Sequence, residues 1–530
     1  MVDRRVGAVW ALFGTIALIS CALVLQRPPD GRLSDLHIYY GAVLTVQDGH
    51  PLYGYLAENG GPFTYPPFAA LLLQPITLVP EPVLRLVWLV LTVAAIAGIA
   101  AVAGRGLSAA AGRRPLLVAV AACAMLLSAP AQSNLRFGQV SVFIVLLALV
   151  DALGLTPARY RGVLVGVAAA IKLTPLLFVV FFLVARRPRD AVRAVGAFVI
   201  CALVAAVALP GDSWTYWTGT MLQTSRIGNL ASLGNQSVHG MLMRAGLAAQ
   251  TLPVVWAVLV ALVCVVALWH ARRVALAGEP ARAAVLVGCA TVAASPVSWT
   301  HHQLWPVLAA MLMIAAQGSL RRAAGAILLV VMVLSLGSVL GAVSLRPGLQ
   351  FLFENARSFA VVAVCLTGIG GVAVTAVHQA RRPGSRRVWL RTATTAVAAV
   401  ACFAVLPLPA GADPTFKAYT LADTANPRYF FYCRTAQTCA RLANGEPVRF
   451  GTFREPTKVR VNGMVDSAVA RLEFTSAPGG PAREIPLVET FPGQRAFSFR
   501  LANIAAGRLA AYGHNDEILA VFTDSLNPPG

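Results

Sequence analysis

Residues 161–185 read RGVLVGVAAAIKLTPLLFVVFFLVA and are apolar almost throughout. A run of this length and composition is typical of a segment that enters a lipid bilayer. Lys172 and Pro175 interrupt the run near its centre. Proline breaks the helical hydrogen-bond ladder, and a charged side chain at this depth needs a partner or a lined cavity. We therefore predict two short helices that meet at Lys172 rather than one straight span.

Runs of similar quality recur along the first 410 residues. Of the 530 residues, 57% are hydrophobic and 12% are charged, about half the charged share of a soluble domain. Helices satisfy every backbone polar group inside a bilayer segment of this kind. The sequence thus predicts an α-helical polytopic membrane protein with about 11–13 transmembrane helices. The other runs lie near residues 6–25, 83–103, 115–130, 138–154, 191–209, 252–270, 281–298, 303–318, 323–342, 358–378 and 389–408.

Basic residues fall in short clusters between the apolar runs, and the net charge is +21. Such clusters are expected in cytoplasmic loops. We therefore interpret the charge as topological, exclude nucleic acid as a partner and place the N-terminus in the cytoplasm. We also expect the run near 6–25 to remain as a span, because it lacks a small-residue cleavage site. The clusters are Arg4/Arg5, Arg105/Arg113/Arg114, Arg159/Arg161, Arg186/Arg187/Arg189, Arg272/Arg273, Arg321/Arg322 and Arg381/Arg382/Arg386/Arg387.

Alternating crossings satisfy every basic cluster and bring several polar segments to the outer face of the membrane. In this topology residues 65–80 form a half-embedded helix, with two crossings separated at Pro80 as the alternative. The outer polar segments are 34–67, 133–139, 171–175, 235–244 and 295–302.

The composition changes after Pro409. Residues 411–530 are polar and contain alternating stretches such as TKVRVNGMV and AFSFRLANI, and this alternation predicts strands. We therefore divide the chain into a transmembrane domain, 1–410, and an extracytoplasmic domain of mainly β structure, 411–530. Cys433 and Cys439 are close enough in sequence for a disulfide in an oxidising compartment, and the alternative is two free thiols.

Asp35 lies in SDLHIYY, at the start of the first outer segment. A carboxylate at this place could take a proton from a sugar hydroxyl as a general base. A helix N-cap is an equally good interpretation, since Ser34 or Asp35 precedes LHIYYGAVLTV. Asp30, Asp48 and Glu58 lie in the same segment and are rival carboxylates.

Lys172 is the only lysine among the first 410 residues. An ammonium group at a broken helix is costly unless it meets an anion, and a phosphate is the obvious candidate. The alternative is a lysine that snorkels to the interface. Further donors lie in the other outer segments, each typical of a loop residue that bonds backbone, yet together they predict a donor-rich pocket. They are Arg136, Gln139, Asn235, Gln236 and Arg244.

His301 and His302 lie in SPVSWTHHQLWP, residues 295–306, between Trp299 and Trp305. Adjacent side chains on a helix diverge by about 100°, so the pair is poorly placed to share one metal ion. We expect these imidazoles to recognise phosphate or sugar, and we expect no metal. The tryptophans are typical of a membrane interface.

Taken in order, these segments resemble a known family. DLHIYY with FTYPP, then FGQVS, AIKLTP, NQSVHGMLMR and SPVSWTHHQLW, are similar to motifs of the actinobacterial polyprenyl-phosphate-mannose-dependent α-1,2-mannosyltransferases. These are membrane glycosyltransferases of the C superfamily. The resemblance extends from about residue 5 to residue 380 and does not include residues 411–530.

The resemblance implies roles for several residues. The catalytic base of the family's first outer loop corresponds to Asp35. The lysine and histidine motifs that line the donor pocket correspond to Lys172, His301 and His302, and FTYPP contributes Tyr65. The family implies an inverting, metal-independent transfer without a cofactor, at the outer face of the plasma membrane. The implied partners are a polyprenyl-phosphate-mannose donor, a glycolipid or polysaccharide acceptor and the lipid bilayer.

Three other functions compete with this interpretation. One is a non-catalytic polymer-binding protein whose activity resides in the C-terminal domain, against which Asp35 argues. An arabinofuranosyltransferase with a decaprenyl-phosphate donor would keep the same fold and change the sugar. A lipid or sugar transporter would also suit a broken helix with a central charge. Against a transporter, the sequence has no inverted repeat and its polar motifs gather on one predicted face.

Overall fold

The computed structural model describes residues 2–28, 31–57, 61–106, 113–223, 230–248, 250–334, 345–369, 419–422, 430–433, 447–454, 459–475, 482–491, 494–501 and 508–522. The chain divides into two compact units, Met1–Leu408 and Pro409–Gly530. The predicted run near 389–408 and Cys439 lie outside the described residues.

The first unit consists of α-helices joined by loops and short 3-10 turns. Proline stands at the start of many of these helices, where its missing N–H breaks no intrahelical bond. The helices are α1 (Val2–Leu25), α2 (Ser34–Gln47), α3 (Pro67–Leu72), α4 (Glu81–Ala103), α5 (Arg114–Leu127), α6 (Ala129–Phe137), α7 (Ser141–Ala152), α8 (Val163–Ile171), α9 (Leu177–Val184), α10 (Pro188–Ala208), α11 (Pro210–Thr218), α12 (Val238–Arg244), α13 (Leu252–Leu276), α14 (Pro280–Ala294), α15 (Leu304–Ile314), α16 (Ser319–Val333), α17 (Pro347–Glu354) and α18 (Ala356–Thr367).

Several of these helices are long and apolar enough to cross a membrane. Among the described residues they are α1, α4, α10 and α13, and the bent pairs α5–α6 and α17–α18 add two more if each pair is one span. Helix α1 has 24 residues, about 36 Å of helix against about 30 Å of hydrocarbon. The prediction of a helical membrane protein with several apolar spans is confirmed. Helices α7, α14 and α15 are apolar but shorter.

The break predicted in residues 161–185 is present. Helix α8 ends at Ile171, and Lys172 has an extended backbone with φ −153° and ψ 125°. A 3-10 turn, Thr174–Leu176, follows with Pro175 near its start, and α9 begins at Leu177. Lys172 therefore stands where two short helices meet.

A second change of direction separates α5 from α6, which are inclined by 62°. Ser128 lies between the two helices and has an extended backbone. Its hydroxyl donates to the Met125 carbonyl at 2.5 Å and accepts from the Ala131 N–H at 3.4 Å, so it caps α6. This bend brings the FGQVS motif at the end of α6 towards α2.

Residues 67–78 form α3 and a 3-10 turn, Gln74–Leu78. Together they measure about 20 Å, which is too short to cross the hydrocarbon. This length agrees with the half-embedded helix predicted for residues 65–80.

Helix α14 lies at the centre of the first unit, and most of its side chains are buried. It packs against α7, α9, α13, α15 and α18. Small residues permit this packing: a Cβ atom at Gly288 would lie 2.0 Å from the indole ring of Trp305 on α15. The segment with the two histidines begins where this buried helix ends, so it starts from a rigid position.

The second unit is made of antiparallel strands: β1 (Tyr419–Ala422), β2 (Phe430–Cys433), β3 (Val448–Arg454), β4 (Val459–Asp466), β5 (Arg471–Thr475), β6 (Ala482–Glu484), β7 (Val488–Phe491), β8 (Gln494–Leu501), β9 (Arg508–Tyr512) and β10 (Ile518–Phe522). Two four-stranded sheets have the orders β3-β4-β8-β7 and β10-β9-β5-β6, and β1 pairs with β2. Val461 and Phe497 of one sheet share a hydrophobic core with Leu472 and Leu509 of the other. The strands predicted from TKVRVNGMV and AFSFRLANI are β4 and β8.

Candidate active site

Asp35 lies in the first turn of α2. The N-cap of this helix is Leu33, which has a left-handed backbone with φ 50° and makes no side-chain cap hydrogen bond. The Leu33 N–H instead donates to the Arg136 carbonyl at 2.8 Å. Asp35 is therefore not the N-cap residue, and its carboxylate is left for another role in a position that a helix dipole favours for negative charge.

Gln139 holds the Asp35 carboxylate. Its Nε2 donates to Asp35 Oδ2, and its Oε1 accepts from the Tyr65 hydroxyl at 3.1 Å and from the Ser141 hydroxyl at 3.4 Å. The Tyr39 hydroxyl donates to the Tyr65 oxygen at 3.1 Å. Gln139 is almost fully buried. Because these partners fix both ends of the amide, the carboxylate is oriented by a rigid chain of hydrogen bonds.

The backbone turn before Gln139 requires glycine. Gly138 has φ +67°, and a Cβ atom there would lie 2.7 Å from the Leu36 Cβ and 3.2 Å from the Leu33 Cβ. Glycine adopts this left-handed conformation without steric cost. The FGQVS motif thus places the amide of Gln139 against the first turn of α2.

Lys172 lies next to Tyr65. Its Nζ is 5.3 Å from the centroid of the Tyr65 ring and 2.7 Å from His302 Nε2. Among the described residues no carboxylate lies within ion-pair distance of this ammonium group. The side chain is only half-buried. Burial lowers the pKa of Lys172 to about 7, although the charge of Asp35 opposes the shift, so an anion bound beside it would favour the charged ammonium form.

His301 and His302 form most of a 3-10 turn, Thr300–His302. Their rings meet edge to face at 4.4 Å. His302 Nδ1 lies 3.2 Å from the Trp299 N–H. His301 Nδ1 lies 3.5 Å from the Ser133 hydroxyl, whereas its Nε2 is buried without a hydrogen-bond partner in the described part of the chain. The turn therefore leaves one imidazole nitrogen of the pair for a ligand.

Burial controls the protonation of these groups. It raises the pKa of Asp35 to about 7, although the positive charge of Lys172 and a hydrogen bond from Ser34 oppose the shift. Burial and the charge of Lys172 hold the pKa of His301 and of His302 well below the usual value. Near neutral pH the carboxylate can therefore exchange a proton, while both imidazoles are neutral.

Arg136 borders this cluster. Its side chain is exposed, and its guanidinium lies 4.9 Å from the centroid of the Phe137 ring. Phe137 packs edge to face against His301 at 5.7 Å. Arg136 is thus separated from the imidazole by one aromatic ring.

Asn235, Gln236 and Arg244 do not join the cluster. The Asn235 side chain accepts from the Ser298 N–H at 2.8 Å and donates to the Leu230 carbonyl at 2.8 Å. The Gln236 amide donates to two backbone carbonyls, and Arg244 donates to Asn355 Oδ1 and to the Asn235 carbonyl. These residues support the backbone that precedes the two histidines.

Sequence reasoning missed Arg357, at the start of α18. This residue is buried, and its guanidinium donates to Thr300 Oγ1 at 3.3 Å, the Val331 carbonyl at 3.2 Å and the Leu334 carbonyl at 2.5 Å. It therefore fixes the residue that opens the histidine turn. The only signal in the sequence was a single arginine next to an apolar run, which is typical of a span end.

Metal-binding groups are not gathered here. Within the described ranges no three His, Cys, Asp or Glu side chains lie close enough to hold a metal ion.

The helical membrane unit thus gathers a carboxylate, a lysine and two imidazoles in one cluster. Comparison with known proteins gives the family. The model of glycosyltransferase family 87 matches residues 63–296, and the chain belongs to this family. The predicted resemblance is confirmed at this level, and so is the assignment as an enzyme.

Mycobacterial relatives are similar over most of their length. The polyprenol-phosphate-mannose-dependent alpha-(1-2)-phosphatidylinositol mannoside mannosyltransferase of Mycobacterium tuberculosis is 34% identical over 344 residues, which are 60% of this chain and 78% of the relative. Its namesake in Mycolicibacterium smegmatis is 32% identical over 52% of this chain and 68% of the relative. The polyprenol-phosphate-mannose-dependent alpha-(1-2)-phosphatidylinositol pentamannoside mannosyltransferase of the same species is also 32% identical, over 52% of this chain and 68% of the relative. No solved structure shows a significant match.

Proposed function

We propose that this enzyme transfers mannose from polyprenyl-phosphate-mannose to a glycolipid or polysaccharide acceptor at the outer face of the plasma membrane. The proposed product has an α-1,2 linkage formed with inversion. The single observation that carries the proposal is the joint placement of Asp35, Gln139 and Tyr65 beside Lys172 and His302. The names of the mycobacterial relatives support the choice of donor.

The donor phosphate is proposed to lie at Lys172. As the bond between the sugar and the phosphate oxygen breaks, negative charge grows on that oxygen. A fixed cation stabilises this charge more than it stabilises the bound donor. His302 orients the ammonium group, and the unpartnered His301 Nε2 offers a further hydrogen bond to a phosphate or sugar oxygen. Arg136 offers an outer positive charge.

Asp35 is proposed to remove the proton from the acceptor hydroxyl. Its raised pKa of about 7 suits a general base that works near neutral pH. The Gln139 amide holds one carboxylate oxygen, and in the described ranges the other oxygen has only the Ser34 hydroxyl, at 3.4 Å. An acceptor hydroxyl that attacks the anomeric carbon on the face opposite the phosphate inverts its configuration.

The distribution of basic residues supports a proposed location for each terminus. The N-terminus and the arginine clusters lie in the cytoplasm, and residues 411–530 lie outside. The positive-inside rule supports this orientation, and it gathers the motifs of the site on the outer side.

Purified enzyme in lipid nanodiscs tests the proposal. It is supplied with polyprenyl-phosphate-mannose or with decaprenyl-phosphate-arabinose and a phosphatidylinositol mannoside acceptor, and the product is examined by linkage analysis. We expect mannose transfer with a new α-1,2 linkage and no arabinose transfer. Arabinose transfer without mannose transfer would refute mannose as the donor sugar. A linkage other than α-1,2 would refute the proposed product.

A further inference from the structure

A cleft of about 300 Å³ opens between the loop after α2 and the segment around α11. Its walls include Tyr53, Asp212, Thr215, Thr220 and Gln223. None of these residues belongs to the donor cluster described above. The walls thus combine one aromatic side chain with a carboxylate, two hydroxyls and a carboxamide.

The two walls are joined by specific contacts. Asp212 Oδ1 accepts from the Leu52 N–H at 2.9 Å, and the Tyr53 ring stacks on the Tyr216 ring at 5.6 Å with an angle of 26°. Asp212 therefore fixes the loop wall, and its carboxylate keeps acceptor capacity for a further donor. These contacts hold the two walls of the cleft in a fixed relative position.

Tyr53 connects the cleft to Asp35. The Tyr53 hydroxyl donates to the Tyr65 carbonyl at 2.8 Å, and the Tyr65 hydroxyl donates to Gln139, which holds Asp35. The ring of Phe63 packs against the rings of Tyr53 and Tyr65. The cleft is therefore linked to the proposed base through two tyrosines and Gln139.

The charges of the two sites differ. Lys172 suits the anionic donor phosphate, whereas a phosphate in the cleft would meet the carboxylate of Asp212. Carboxylate, hydroxyl and carboxamide groups match the hydroxyls of a neutral sugar. Next to Asp212 on α11, Trp214 is 73% exposed, as expected of an anchor at a membrane interface. A sugar that is attached to a membrane lipid fits this location.

We infer that the cleft between residues 51–54 and 212–223 binds a sugar residue of the acceptor. The inference rests on the proposed transferase function for the direction of transfer. The chemical class of the ligand is a neutral mannoside carried by a lipid. The cleft, rather than the donor cluster, thus selects the acceptor.

Two rim variants test the inference with little risk to folding. Thr215→Val keeps the shape of the side chain and removes its hydroxyl, and Gln223→Ala removes a carboxamide; both residues are exposed. The matched control is Thr218→Val on the same helix, because Thr218 donates to the Trp214 carbonyl and does not line the cleft. Asp212→Asn adds a variant that keeps an oxygen for the Leu52 N–H and loses the charge.

Binding is measured first without any donor, as saturation-transfer NMR of octyl α-mannoside on the full-length enzyme in nanodiscs. Loss of one hydrogen bond should weaken binding about three- to tenfold in Thr215→Val and in Gln223→Ala. Thr218→Val should bind as the unaltered enzyme does. Equal affinity in all variants would overturn the inference.

Steady-state kinetics then separate the inference from the proposed function. We expect the KM for the acceptor to rise about three- to tenfold in the rim variants, with the KM for the donor unchanged. Mannose transfer with an unchanged acceptor KM would refute the acceptor cleft and keep the transferase. Mannoside binding that depends on the cleft, in an enzyme that transfers no mannose, would keep the cleft and refute the proposed function.

Discussion

The Asp35 carboxylate is held by the Gln139 amide and has no other strong hydrogen bond among the described residues. Asp35→Asn keeps the size of this side chain and removes its proton-accepting group. We expect transfer to fall by about two to four orders of magnitude, with an unaltered unfolding temperature. Turnover and a thermal unfolding curve measure the two effects. Asp48→Asn, at an exposed carboxyl of the same segment, is the control, and loss of activity there alone would assign the base to Asp48.

The pH dependence of the reaction follows from the same carboxyl group. Burial raises the pKa of Asp35 to about 7, and only the deprotonated form can accept a proton. Activity should therefore be lost as pH falls through about 7, about tenfold per pH unit below it. The ratio kcat/KM for the donor, measured from pH 5 to 9, reports this pKa in the free enzyme. The residual activity of Asp35→Asn should not fall as pH drops below about 7. If this fall is unchanged in the variant, another group is responsible for it.

Lys172 is expected to act on the donor in both binding and turnover. Lys172→Ala should raise the donor KM and lower kcat, with a loss of about a hundredfold or more in kcat/KM. The acceptor KM should not change, because the ammonium group contacts Tyr65 and His302 and not the acceptor cleft. Kinetics with each substrate varied in turn measure these constants. A raised donor KM at an unchanged kcat would contradict a role in stabilising the leaving phosphate.

The sequence motifs indicated which residue types are present in this region better than which of their side chains lie in the cluster. Lys172 was predictable because a lysine in an apolar run is costly without a function. Gln236 and Arg244 were predicted as pocket donors, yet they bond backbone and Asn355. A polar side chain in an outer loop has the same sequence signal in either role, and only the packing distinguishes the two. Arg357 gave no distinguishing signal because it stands alone beside an apolar run.

The junction between α6 and α7 depends on one glycine. Gly138 has a left-handed backbone, and a Cβ atom would lie 2.7 Å from the Leu36 Cβ on α2. Gly138→Ala should cost about 2–4 kcal/mol, from backbone strain and from overpacking. Because Gln139 follows directly, we also expect the activation free energy of transfer to rise by at least as much as the free energy of unfolding falls. The unfolding temperature and the turnover in detergent solution measure both losses.

Gly196→Ala on α10 is the control for this substitution. Apart from its chain neighbours and its own helix backbone, no atom of the described residues lies within 4 Å of the position of its Cβ, and its backbone is helical. We expect the unfolding temperature to stay the same or to rise slightly, because alanine favours a helix by about 1 kcal/mol. Equal losses in the two variants would show that the conformation of Gly138 has no special role.

Hydropathy predicted the existence of helices well and their ends less well. The run near 115–130 was predicted as one span, but α5 ends at Leu127 and Ser128 caps a helix inclined by 62°. Ser128 and Pro130 do mark this bend in the sequence, as a capping residue followed by a proline in the first turn of α6, but an average of hydropathy over the run does not register them. The break at Lys172 was predictable because a charge and a proline interrupt the pattern at the same place.

In the first unit the polar motifs from distant parts of the chain meet around α2, α6 and the histidine turn. Asp35, Gln139, Lys172 and His302 span more than half of the unit in sequence and are linked by Tyr65. A transporter that alternates between two faces needs its site between two moving halves. Here α14, packed on five helices, carries the histidine segment, which suits a fixed reaction site better than a moving one.

The last prediction concerns the orientation of the whole chain in the membrane. Charge alternation puts Ala158, next to Arg159, in the cytoplasm and residues 411–530 outside. We therefore expect a membrane-impermeant maleimide on intact cells to label Ser467→Cys and not Ala158→Cys, since both positions are exposed. Opening the membrane should make Ala158→Cys reactive. The predicted disulfide should keep Cys433 and Cys439 unlabelled unless a reductant is added.

The same experiment bears on the proposed site. Lys172, the two histidines and Asp35 form one cluster, and the arginine clusters predict that it faces the outer compartment. Label on Ala158→Cys in intact cells, with Ser467→Cys protected, would invert the protein and put Asp35 on the cytoplasmic side. The transfer would then have to occur at the inner leaflet, and the acceptor cleft would face cytoplasmic glycolipids. Label on both positions in intact cells would contradict the alternation of crossings that the arginine clusters predict.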